Sequence, residues 1–279
     1  MNIGPPEYTR LCIFTRPTGR PKGPPKPKKI REIRAIRGYH SEFPRNFSQK
    51  RAKLHPKRTL SAPKRTFLPL KKIPIIGLTG LPASGKTTVA WQFQRLNCAV
   101  LNADQINHEI LTQPSVIQEV TNLWGPKVLD RNRQLDREAI AQIVFYNPDE
   151  LKKLTALLHP RITAQLAAEL KTASAQVQYA AIVMDVPLLF ELDLDKWCDC
   201  TILVEADDLT RYQRLKQRHG WDQQRAKQVE KFQQPIADKR LKADYIIRNE
   251  GLPTNLQPLI QAILNEVLAN AEQTDPNVT

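Results

Sequence analysis

The stretch GLTGLPASGKTT, Gly77 to Thr88, follows the apolar run Ile73 to Ile76 and leads directly into VAWQFQRL. It constrains the fold more than any other segment. The spacing fits G-x-x-x-x-G-K-[ST], with Gly80 and Gly85 as the two glycines, Lys86 as the lysine and Thr87 as the hydroxyl. Glycines let the backbone take positive φ and come close to a ligand, so that successive N–H groups form an anion-binding nest at a helix start. Lys86 then reaches the β- and γ-phosphates and is expected to face solvent without nucleotide. Thr87 supplies a hydroxyl to Mg²⁺, so the expected ligand is a nucleoside triphosphate with its metal. The bland alternative is a turn that merely contains these residue types. A legible strand before it and helix after it favour the phosphate-binding reading.

From Ile73 onward, short apolar runs alternate with longer amphipathic stretches, the pattern of a parallel sheet wrapped by helices. Five runs predict strands: Ile73–Thr79, Ala99–Asn102, Tyr179–Asp185, Cys200–Glu205 and Ala243–Arg248. The long gap from Asp104 to about Gln178 carries only helix signals. In an open parallel sheet ligands gather beyond the carboxyl ends of the strands, so this helical insertion is expected to wall the acceptor site there.

Charge separates this region from what precedes it. Residues 1–72 hold 20 Lys and Arg against 3 acidic residues, net +17, which leaves 22 against 25, net −3, for the remainder. The same segment holds 11 of the 22 prolines and few large apolar residues, so it is expected to be a disordered basic extension. A transit peptide, a nucleic-acid or membrane-surface arm, and a stretch without a role all fit it. Four scattered cysteines, Cys12, Cys98, Cys198 and Cys200, suggest reduced thiols in a cytoplasmic protein. No run reaches the roughly 18 apolar residues of a membrane helix.

Several polar residues fall at predicted strand ends. Asp104, after the second strand, is placed to accept a proton from an attacking hydroxyl, or alternatively to cap the helix that follows. Asp185 ends the third strand where a carboxylate can hold Mg²⁺, and Glu191 follows it in DVPLLFE. Arg211, Arg214 and Arg218 share one helical face, suited either to a polyphosphate or to solvent.

Taken together, GLTGLPASGKTT, Asn102-Ala-Asp104, Leu158-His159-Pro160, DVPLLFE at 185–191, the R-x-x-R-x-x-x-R run and ADYIIRNEG at 243–251 resemble the dephospho-CoA kinase family, over Ile73 to Leu268. The resemblance implies a P-loop kinase of residues 73–273 with a helical insertion at about 104–178 and a lid at about 208–235. It implies ATP as cofactor with Mg²⁺, and phosphorylation of the 3′-hydroxyl of dephospho-CoA. By it, Asp104, Lys86 and Arg214 are catalytic, and Gly80, Ala83, Ser84, Gly85, Lys86, Thr87, Thr88, Arg218, Asn249 and Gly251 bind nucleotide. Asp104, Arg137, His159, Pro187 and Leu188 bind the acceptor, and Thr87 and Asp185 serve the metal. His159 before Pro160 also suits a structural break between two helices. The family usually has Asp where this chain has Asn102, which removes one carboxylate but not the one matched to catalysis. The rival readings are another P-loop nucleoside or nucleotide kinase, and a nucleic-acid-binding protein with a vestigial nucleotide site.

Overall fold

The structure, a computed structural model, describes residues 31–33, 73–145, 147–250 and 256–273. Six parallel strands form one sheet in the order β1-β6-β5-β2-β4-β3. They are β1 Arg31–Ile33, β2 Ile75–Thr79, β3 Ala99–Asn102, β4 Ile182–Asp185, β5 Cys200–Glu205 and β6 Tyr245–Arg248. Five are the predicted runs, three of them shorter at the start. β2 begins only after Pro74, which lacks an N–H for the ladder and offers its carbonyl to Ile182 at 2.9 Å. The sixth strand, β1, comes from the basic extension and pairs with β6 from Arg31↔Tyr245 to Ile33↔Ile247. It corrects the reading of residues 1–72 as wholly without structure; the rest of that segment lies outside the described residues.

The strands read as unbroken apolar runs because both faces of the sheet are covered. Successive side chains point to opposite faces. On one face Ile76, Leu78, Val183, Ile202, Val204 and Ile247 pack against helix α1 (Lys86–Arg95) and the last helix. On the other, Ile182, Met184, Leu203 and Ile246 belong to the core that the helices of the insertion share. Gly77 belongs to this second face, where a Cβ would come within 2.7 Å of both Leu189 and the Cys198 sulfur. Burial pushes the Cys98 thiol up to about 11 and Cys198 to about 12, and both are free thiols.

The insertion comprises α2 (Ala103–Leu111), α3 (Pro114–Trp124), α4 (Arg137–Phe145) and α5 (Pro148–Ser174). The Asn147 side chain caps α5 by accepting the Asp149 and Glu150 N–H groups. The expected break at His159-Pro160 is absent: α5 runs through Pro160 as one helix. Proline removes one helical bond, but Leu151, Leu154, Leu158, Ile162 and Leu166 are buried on both sides of it, and this shared apolar stripe holds the two halves in line.

Beyond β5, α6 (Asp208–His219) and α7 (Gln223–Glu230) form a helical hairpin, followed by α8 (Ile236–Lys242). Asp207 and Asp222 cap the two hairpin helices, and Gly220, at φ 64°, ends the first. Leu215, Trp221, Ala226 and Val229 give the hairpin its own small core, packed on Ala83 and Phe145. After β6, α9 (Leu256–Gln273) closes the chain against the α1 face. Among the described residues no helix is long and apolar enough to cross a membrane.

Candidate active site

Register sets the site. Leu78 of β2 and Asn102 of β3 both pair with Asp185 of β4, so three adjacent strands end within one residue of each other. The phosphate loop leaves β2 one residue after Thr79, Asp104 lies in the first turn of α2 just past β3, and Asp185 ends the strand between them.

In the loop, Gly80 (φ 153°) allows close approach to β5, where a Cβ would collide with the Val204 carbonyl. Gly85 (φ 97°) precedes α1, and a Cβ there would overlap the Asn249 amide. No side chain caps α1, and a helix N-terminus entered through glycine is the arrangement a phosphate needs. Asn249 donates to Ser84 O at 2.9 Å. Arg214, from α6, donates to Ala83 O at 3.2 Å and Asn249 O at 3.1 Å. Gly80, Ala83, Ser84, Gly85, Arg214 and Asn249 are thus brought together, while Gly251 lies outside the described residues. Lys86 differs from expectation: it is only 3% exposed and donates to Gly80 O at 2.9 Å. The carbonyl of its own loop holds the ammonium close to the phosphate nest. Thr87 is exposed on the first turn of α1, with Thr88 half-buried beside it.

The three arginines of α6 part company. Arg211 is buried, bonded to Glu230 at 2.6 Å, Asp208 at 2.7 Å and Pro82 O at 3.2 Å. Burial works against its charge, but the bonds to Glu230 and Asp208 outweigh that and hold its pKa above the ordinary value. It ties the hairpin's legs to the phosphate loop and does not share a free basic face with the other two. Arg214 is half-buried, and its pKa is lowered by burial and then by neighbouring Arg218, a repulsion that a bound polyanion relieves. Arg218 is exposed.

On the acceptor side, Asn102, not Asp104, caps α2: its Oδ1 accepts the Gln105 N–H at 3.0 Å. Its amide donates to Asp185 Oδ2 at 3.1 Å, a contact that sequence spacing across 83 residues does not announce. Asp104 is half-buried. Arg137, half-buried at the start of α4, has its pKa lowered by burial. His159, in mid-α5, is lowered to about 4 by burial, so it is neutral at pH 7. Pro187 and Leu188, expected to bind the acceptor, are buried, Leu188 in the insertion-side core. The Pro187 carbonyl accepts from Thr79 Oγ1 at 2.9 Å and from Lys239 Nζ at 2.8 Å, and Lys239 has no sequence signal that separates it from Arg240 and Lys242 in the same helix.

The dephospho-CoA kinase family model, CoaE, matches residues 74–254. The dephospho-CoA kinase of Geobacillus kaustophilus is 34% identical over 192 residues, 68% of this chain and 95% of that one. That of Fusobacterium nucleatum is 35% identical over 191 residues, again 68% and 95%. Among solved structures, TT1252 from Thermus thermophilus superimposes with a TM-score of 0.60 at 31% identity, covering 70% of this chain and 98% of that one. The matched span contains the phosphate loop, Asp104, Asp185 and the α6–α7 hairpin, and on this footing the chain belongs to the dephospho-CoA kinase family.

Proposed function

We propose that the chain transfers the γ-phosphoryl group of ATP to the 3′-hydroxyl of dephospho-CoA, giving coenzyme A and ADP. Family membership supports the overall reaction. The observation that carries the assignment of roles is the register of β2, β4 and β3, by which Leu78, Asp185 and Asn102 lie level. A phosphate loop, a strand-end carboxylate and the turn bearing Asp104 then share one edge, with α2 to α5 as the wall beyond.

In this reading the α1 N-terminus and Lys86 bind the β- and γ-phosphates, Asn249 flanks the adenine, and Arg214 with Arg218 neutralises the moving phosphoryl group. The 3′-hydroxyl proton passes to the Asp104 carboxylate as the O3′–P bond forms and the bond to the β–γ bridging oxygen breaks. Arg137 and His159 face the coenzyme from the insertion, His159 as an uncharged group. The Thr87 hydroxyl and the Asp185 carboxylate are hard oxygen donors suited to Mg²⁺. When bound, the ion offsets charge on the β- and γ-oxygens. Catalysis is assigned to residues 73–273, with residues 1–72 as an appendage. The reaction is assigned to the cytoplasm, where thiols such as the free Cys98 and Cys198 stay reduced.

The test is incubation with ATP, Mg²⁺ and dephospho-CoA, following ADP and coenzyme A, beside a panel of nucleosides and nucleotides. Turnover of dephospho-CoA at least 100-fold faster than any other acceptor is expected. Preferential turnover of a nucleoside or nucleotide contradicts the substrate assignment.

A further inference from the structure

Lys239, in α8, is fully buried, and so is the Glu191 carboxylate beside it. Its ammonium donates to Pro187 O at 2.8 Å and Gln233 Oε1 at 3.0 Å and pairs with Glu191 Oε1 at 3.0 Å. These acceptors come from two segments far apart in sequence. Pro187 and Glu191 belong to the turn after β4, directly behind Asp185, whereas Gln233 lies in the leg that returns from α7 to α8. Glu191 Oε1 also accepts the Gln234 N–H at 2.7 Å, and Lys242 donates to Gln234 Oε1 at 2.8 Å. The chain of bonds continues to the phosphate loop, because Thr79 Oγ1 donates to the same Pro187 carbonyl. In the other direction, Phe232 stacks on Phe145 of α4 at 5.9 Å.

A buried ion pair is a poor device for stability, since apolar residues of the same volume often serve as well or better. What a buried ammonium held by several partners does supply is position: it fixes Pro187, Gln233 and Glu191 at once. We propose that Lys239 is a positioning residue for phosphoryl transfer, locking the acceptor-side turn at 186–192 to the return leg of the α6–α7 hairpin at 232–235. Arg211 anchors the other side of the hairpin to the phosphate loop. With both anchors, the hairpin that carries Arg214 and the turn behind Asp185 move as one body, and the donor and acceptor halves of the site close in register. The inference rests on the kinase reading for its kinetic consequence but not for the mechanical one.

The experiment compares Lys239→Met, Glu191→Gln and the double variant Lys239→Met/Glu191→Leu, which leaves no unpaired buried charge. If Lys239 only balances Glu191, the double variant recovers both melting temperature and kcat. If it positions, the double variant melts within a few degrees of the parent yet forms coenzyme A at least tenfold more slowly, with KM for ATP within about threefold. Amide hydrogen exchange should then rise together in 186–192 and 232–235 while β4 and β5 stay protected. Gln233→Leu keeps the charge pair, removes one anchor and is expected to shift kcat and exchange in the same direction by less, which covers the case of a variant that fails to fold. Parental kcat in the double variant, or exchange rising in only one segment, overturns the proposal. Should the parent protein form no coenzyme A, the function reading fails, and the exchange measurement still decides whether Lys239 joins the two segments.

Discussion

Asn102 donates its amide to Asp185 Oδ2 at 3.1 Å while its own Oδ1 accepts the Gln105 N–H at 3.0 Å. Only one orientation of the amide satisfies both bonds. A single side chain therefore caps α2, orients the turn that bears Asp104, and supplies a donor to a carboxylate that is 2% exposed. An aspartate at 102 would cap the helix equally well but set a second carboxylate against Asp185.

Asn102→Asp is expected to be destabilising at neutral pH by on the order of 1 kcal/mol, because two close carboxylates resist joint ionisation. One folded-state pKa of the pair rises above its unfolded value, so the penalty is absent below about pH 4 and grows as pH rises through the folded pKa. Melting curves of both proteins from pH 4 to 8 check this. A deficit independent of pH contradicts the contact, and Mg²⁺ should narrow the deficit in the variant more than in the parent.

Lys86→Met should abolish transfer while leaving the fold. The ammonium is buried and donates to a carbonyl of its own loop, so the thermal midpoint should move by a few degrees at most. The rate should fall by ~10² or more, as for other lost charge-stabilising contacts. Activity within about tenfold of the parent would remove the lysine from the phosphate site.

A protein starting at Lys71 should keep kcat/KM within about threefold, since the charge changes from net +17 to net −3 near Lys72 and the strand ends at the site lie wholly beyond it. It should also lose the β1 cover of β6. An uncovered edge strand pairs with other chains, so light scattering should show more self-association than in the full-length protein. A large loss of kcat/KM would make the extension part of the enzyme.

Much of this was legible in the sequence because the physical signals are local. A parallel strand covered on both faces must be an unbroken apolar run, and a phosphate nest must have glycine where a Cβ collides, as at Gly80 and Gly85. What was not legible depends on distant partners. Arg211 has the same spacing as Arg214 and Arg218, yet Glu230 and Pro82 draw it inside. Lys239 is one of three basic residues on a short helix, and only Pro187, Gln233 and Glu191 distinguish it. Pro160 signals a break locally, but the buried leucines around it keep α5 whole. The pairing of β1 depends on the free edge of β6, which no pattern within residues 31–33 reveals.

His159 gives the fold an acid-sensitive point. Its folded pKa of about 4 lies below the ordinary value near 6.5, so the unfolded chain binds the proton more readily. Stability should therefore fall as pH drops from about 6.5 to about 4. His159→Gln removes this contribution, and its melting temperature should vary less with pH than the parent's across that window. Parallel profiles for the two proteins would show that His159 does not titrate in this way.

The central claim is that Asp104 takes the ribose proton during transfer from ATP. Since the Asn102 side chain is the cap of α2, replacing Asp104 by its isosteric amide should spare the helix. The decisive measurement is kcat for coenzyme A formation by Asp104→Asn, taken with its melting temperature and ATP affinity. The account predicts a fall in kcat of about 10² or more, with the melting temperature within a few degrees and ATP affinity nearly unchanged. A folded variant with kcat within threefold of the parent would contradict it.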